Sequence, residues 1–173
     1  GYVDSLSNRS HSRSNGHDLN VGVNYSDDTW MFNASLGVTP QRRTIDRKVG
    51  KLYADTAMNM IDFQPMIWMS WRKKEMRVSL NYNGNTRQPS LSDLMPLTDN
   101  SNPLYITRGN PDLKQMFSHN IRLNFQNSPK GISANLGGQV EQNSVTQVMI
   151  YDVQTGGRET YPVNINGNWN LSA

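Results

Sequence analysis

The feature that most constrains this chain is a period of two: apolar and polar residues alternate in segment after segment, a rhythm that strands satisfy and helices do not. Residues 17–25, "HDLNVGVNY", set Leu19, Val21, Val23 and Tyr25 against Asp18, Asn20, Gly22 and Asn24. After "SDD", residues 30–39 resume with Trp30, Phe32, Ala34, Leu36 and Val38 on one face, and Pro40 follows. The pair reads as an antiparallel hairpin. "IDFQPMIWMSW" (61–71) and "MRVSLNYNGNT" (76–86), joined by "RKKE", form a second. "HNIRLNFQ" (119–126) and "ISANLGGQVEQ" (132–142), joined by "NSPKG", form a third. The chain then turns at Gly156–Gly157 into "YPVNINGNWNLSA", where Asn164, Asn166, Asn168 and Asn170 occupy every second position. Asparagine is depleted in strands, so this last face is expected to be a hydrated, uncharged wall.

Composition narrows what such strands can bury. Only 35% of residues are apolar, which suits strands with a single apolar face. Trp30, Trp68, Trp71 and Trp169, with a charged fraction of 18% and a net charge of +3, argue against a disordered polyelectrolyte. Without cysteine there is neither a disulfide framework nor a thiolate metal site. No run approaches the roughly 18 apolar residues of a membrane-spanning helix, and "GYVDSLSNRSHSRSNG" has no signal-peptide pattern. The natural N-terminus is expected to lie upstream, and residues 1–173 are expected to form one domain that is part of a longer chain.

The connections alternate in length. Short turns at 26–29, 72–75 and 127–131 alternate with longer links at about 40–60, at 86–118 and around Gly156–Gly157. The predicted fold is therefore all-β, an antiparallel up-and-down meander of about seven strands. Two architectures accommodate it: a segment of a transmembrane β-barrel, or a soluble β-sandwich serving as a binding or adhesion module. The polar positions are mainly Asn, Ser, Gly and Gln, and Tyr25, Trp30, Trp71, Tyr82, Tyr161 and Trp169 stand near strand ends like an aromatic girdle.

Catalytic patterns are absent. His11, His17 and His119 are scattered and show no zinc-ligand spacing. Asp112 with His119 is the nearest acid–base pair, and the chain is not expected to be an enzyme or to hold a cofactor. "QRRTIDRKVGK" (41–51) gathers Arg42, Arg43 and Arg47 in what reads as a solvated loop. It lacks the stacking aromatics or recognition helix that nucleic-acid binding requires, so no nucleic-acid partner is expected.

The long link from 80 to 125 contains "RQPS" (87–90), "LMP" (94–96), "DNSNPL" (99–104), "GNPDLK" (109–114) and "SHN" (118–120). In "GNPDL", Gly109 permits positive φ, Asn110 is pushed extended by Pro111, and Asp112 can bond the backbone two residues on. The motif is expected to end a loop and launch a strand. In order and spacing these segments resemble the outer-membrane β-barrel family related to TonB-dependent receptors, of the kind abundant in Bacteroidetes. That family usually continues Lys-Pro-Glu where this chain has Lys114-Gln115-Met116. The resemblance implies an outer-membrane location and a parent barrel that closes with about 22 strands around a plug. It also implies uptake of a small-molecule, glycan or peptide ligand, powered from the inner membrane. Under it, Arg87, Tyr105, Arg108 and Asp112 are expected to face the ligand from outer loops. Arg42, Arg43 and Arg47 are expected to meet lipopolysaccharide phosphates.

Overall fold

A computed structural model describes residues 8–49, 52–95, 98–102, 104–154 and 156–173. The chain begins with β1 (Asn8–Gly16) and β2 (Leu19–Ser26), which pair in succession with one partner, β3 (Trp30–Val49). Then come β4 (Leu52–Lys73), β5 (Met76–Arg87) and a single helical turn, α1 (Leu91–Leu94). Two short strands, β6 (Thr98–Asn102) and β7 (Tyr105–Arg108), precede β8 (Met116–Asn127) and β9 (Ile132–Gln142). The chain finishes with β10 (Ser144–Tyr151), β11 (Arg158–Ile165) and β12 (Asn168–Ser172).

These strands form two sheets. The eight-stranded sheet runs β1–β3–β4–β5–β8–β9–β12, with β2 beside β3, and it does not close on itself among the described residues. Every pairing in it is antiparallel. The four-stranded sheet runs β10–β11–β7–β6 and contains one parallel pair, β11 with β7. The two sheets share one long hairpin, because β9 continues into β10 and β11 into β12. Asn143, at φ 54°, and Gly167, at φ +94°, break the two arms. The meander read from alternation is thus the larger sheet, and the smaller sheet was not anticipated. Its β6 and β7 are too short to carry a period, and β6 is also rich in Asn, Asp and Ser.

Register explains why one face is apolar throughout. Residues paired across antiparallel strands point to the same side. Val23 faces Ala34, which faces Ile67, which faces Tyr82, which faces Ile121. One pairing lower, Phe32, Met69, Leu80, Leu123 and Leu136 line up in the same way. This face remains open: Val21 is 76% exposed and Trp169 70%. In water each such side chain would forgo about 1.5–3 kcal/mol of burial, and the second sheet of a sandwich would have covered them.

All three short turns fall at one end. Between β2 and β3, Asp27 Oδ1 accepts the backbone N–H groups of Thr29 (2.7 Å) and Trp30 (2.6 Å), while Tyr25 donates its hydroxyl to Oδ2 at 2.7 Å. The Tyr25 bond, then those from Trp30 and Thr29, hold the Asp27 carboxyl below its ordinary range. Lys74 turns β4 into β5 with φ 53°, and Gly131, φ 61°, ends the 3-10 turn before β9. Trp30 and Trp71 meet at this end with ring centroids 6.4 Å apart.

At the opposite end, the basic link expected at 40–60 is instead strand. β3 and β4 stay paired without a slip out to Val49 and Leu52. Charged residues on both faces hid this extension, because a strand solvated on two sides has no alternation to display.

Candidate functional site

The polar face is built from the same register as the apolar one. Asn83, Asn120, Gln139 and Asn170 form one cross-strand row through β5, β8, β9 and β12. The row below it is Trp68, Asn81, Arg122, Gly137 and Ser172. Between them lies a cleft of ≈190 Å³. Further along the face, Asn33 donates to Asn24, and Asn124 donates to Ser79 Oγ at 3.3 Å. Arg77 donates to the buried Ser70 hydroxyl at 3.3 Å.

Above this wall the long link folds against the sheets, and here lies the only tight apolar packing among the described residues. Leu94, Met95, Leu113 and Met116 are each at most 9% exposed, and Pro162 of β11 is buried with them. Gly109 is required by contact: a Cβ there would sit 1.9 Å from the Met95 carbonyl oxygen. The expectation of a positive φ at Gly109 is therefore replaced by close backbone approach. The side chain that bonds the backbone two residues on is Asn110, not Asp112, and it accepts the Asp112 N–H at 3.0 Å. The same amide donates to the Pro162 carbonyl at 3.0 Å.

A second asparagine clamps the other end of the motif. Asn164 accepts the Lys114 N–H at 2.8 Å and donates back to the Lys114 carbonyl at 3.0 Å, as a neighbouring strand would. It also donates to the Asn143 carbonyl at 2.8 Å, while Asn166 accepts the Asn143 N–H at 2.8 Å. Asn168 donates to Glu141 at 2.6 Å. Of the four alternating asparagines read as wall, Asn164 and Asn166 secure a break between the sheets, and only Asn170 lines the cleft. The start of the link is tied down as well. Gln88 donates to Asp62 Oδ1 and to Gln115, and Gln41 donates to Asp62 Oδ2 at 2.7 Å.

The residues singled out from sequence are divided among these parts. Tyr105 and Arg108 come together on the small sheet. The Arg158 guanidinium lies 4.5 Å from the Tyr105 ring centroid, and that of Arg108 lies 5.2 Å from the Tyr161 centroid. Arg108 also pairs with Glu159 at 3.1 Å. Sequence reading missed Arg158 and Glu159, whose partners are set by the parallel pairing. Arg87 ends β5 opposite Met116, and Asp112 is exposed in the turn, so neither joins this cluster. Arg42 and Arg43 are consecutive in β3 and therefore point to opposite faces, Arg42 on the side of Val38 and Pro40. Arg47 lies in the same strand opposite Ala54, and its side chain falls outside the described residues, as do Pro96 and Pro103 of the link motifs. His119 bonds the Tyr82 hydroxyl at 3.0 Å and stacks edge-on against Phe117, and its bonded partner is thus Tyr82 rather than Asp112. Among the described residues no group of His, Asp or Glu could hold a metal ion.

A sequence model of an outer membrane protein beta-barrel family matches residues 23–173. No curated protein matches the chain. No solved structure matches it either.

Proposed function

Because the chain belongs to the outer membrane protein beta-barrel family, we propose that its larger sheet is a stretch of barrel wall in a receptor-like protein that binds a ligand and admits it. The protein resides in the outer membrane. One observation carries the reading: an unbroken register divides the sheet into a continuous apolar face and an amide-rich one. Lipid on one side and a hydrated lumen on the other are the surroundings that this division suits. From Trp30 to Val38 the apolar run of β3 has the length that a tilted strand needs, about 9–11 residues. Trp30 and Trp71 stand at the short-turn end of the apolar face, and Tyr82, His119 and Trp169 gather further along it around another groove.

The order and spacing of the link motifs favour a relative of TonB-dependent receptors, with the rest of the barrel and a plug completing the lumen. In that setting Tyr105 and Arg108, held beside Arg158 and Tyr161, offer a cation–aromatic surface to an incoming ligand, with Asp112 in the turn after β7 and Arg87 at the end of β5 as further candidate contacts. Arg42, on the apolar side of β3, is better placed than Arg43 for lipopolysaccharide phosphates, and Arg47, whose side chain lies outside the described residues, is the third arginine of this proposal.

Tryptophan quenching tests the assignment of faces. A variant that retains only Trp169 is expected to be quenched by bilayers with brominated acyl chains, and one that retains only Trp68 by aqueous iodide. The opposite pattern overturns the reading.

A further inference from the structure

Most asparagines at the link end are spent on the protein itself: Asn110, Asn164, Asn166 and Asn168 all bond other residues. Those of the cleft are not. Asn81, Asn83, Asn120 and Asn170 make no side-chain bond to another described residue, although they converge on one cavity from β5, β8 and β12. Arg122 stands among them and likewise has no carboxylate partner among the described residues, whereas Arg108 has Glu159. Beside Arg122, Gly137 contributes only backbone, and a Cβ there would lie 2.6 Å from the Ser172 hydroxyl oxygen. The missing side chain keeps the cleft open.

We infer that this cleft binds a sugar acid, a ring of hydroxyls that carries one carboxylate. A primary amide both donates and accepts, as a hydroxyl does, so a row of amides suits a polyhydroxylated ring without fixing each proton. Strand spacing sets neighbouring amides about 4.8 Å apart, close to the separation of hydroxyls across a six-membered ring. The free guanidinium supplies the planar fork that a carboxylate fills with two parallel hydrogen bonds. The inference rests on the polar face being the lumen wall.

The test uses the protein purified from outer membranes in detergent micelles, titrated calorimetrically with D-galacturonate, D-galactose and succinate. Galacturonate is expected to bind at least about tenfold more tightly than either of the others. Arg122→Gln is expected to bring galacturonate down to the level of galactose, while Asn83→Ala with Asn120→Ala weakens both sugars. Equal affinity for galacturonate and galactose, or no change in Arg122→Gln, overturns the inference. Labelling of Asn83→Cys with a membrane-impermeant maleimide separates the two levels of failure. A labelled cysteine in a protein that ignores galacturonate refutes the ligand class and leaves the wall standing. An unlabelled Asn83→Cys beside a labelled Leu80→Cys refutes the wall, and the site with it.

Discussion

Asn164 and Asn83 are the same residue type in strands of the same chain, yet they do opposite things. Asn164 binds three backbone groups, on Lys114 and Asn143, and works as a piece of missing strand between link and sheet. Asn83 lies in regular ladder opposite Asn120, where the backbone needs no help and the amide is left over. The difference is local regularity. Where the ladder is broken, as at Asn143 and Gly167, side-chain amides must satisfy backbone groups that would otherwise be orphaned. Where it is intact the backbone makes no such demand: some amides bond neighbouring side chains, as Asn33 does with Asn24 and Asn124 with Ser79, and those of the cleft are left to solvent or ligand.

Substitutions can break that comparison. The largest effect is expected at Gly109, where alanine would force the Met95 carbonyl away and unseat the buried link. The cost should be about 3 kcal/mol or more, at the upper end of overpacking, read as protease cleavage of the link in intact membranes. Asn164→Ala leaves backbone groups of Lys114 and Asn143 unsatisfied and should cost about 1–3 kcal/mol, measured by denaturant-induced unfolding in micelles. Asn83→Ala should stay within about 0.5 kcal/mol in the same measurement. If the two asparagine variants prove equally destabilising, the division between spent and unspent amides is wrong.

The smallest expected effect is at Asp27. Its carboxyl is held below the ordinary range by bonds from Tyr25 and the turn backbone, so it favours the folded state when ionised. That contribution is complete above the unfolded carboxylate pKa of about 3.9. It is lost as pH falls through the lower folded value. Asp27→Asn should therefore lower the neutral plateau of a thermal-stability profile slightly, because the group is exposed, and flatten the acid limb while the value at the lowest pH stays unchanged.

The larger sheet was legible in the sequence because alternation, turn residues and register all state the same fact about β2, β3, β4, β5, β8 and β9. Legibility ended where that agreement ended. Arg42 and Arg43 lie in a paired strand, but charges on both faces of it imitate a loop. The link motif announced a structural role, yet the bonding residue is Asn110 rather than Asp112, since either side chain can form such a turn. Tyr105 and Arg108 were legible as exposed, and their partners Arg158 and Tyr161 were not, because a parallel pairing across so long an interval leaves no local trace. The cleft did leave one: Asn81 and Asn83 in "NYNGN" and Asn120 and Arg122 in "HNIR" alternate with apolar residues, but they were absorbed into the general polarity of the wall.

The division into lipid-facing and lumen-facing sides is tested most directly on β5. The chain contains no cysteine, so single cysteines at positions 78 to 83 can be read without background. In intact outer membranes, an impermeant maleimide with access to the lumen should label Ser79→Cys, Asn81→Cys and Asn83→Cys and spare Val78→Cys, Leu80→Cys and Tyr82→Cys. Uniform labelling, or labelling with the opposite phase, would contradict the account.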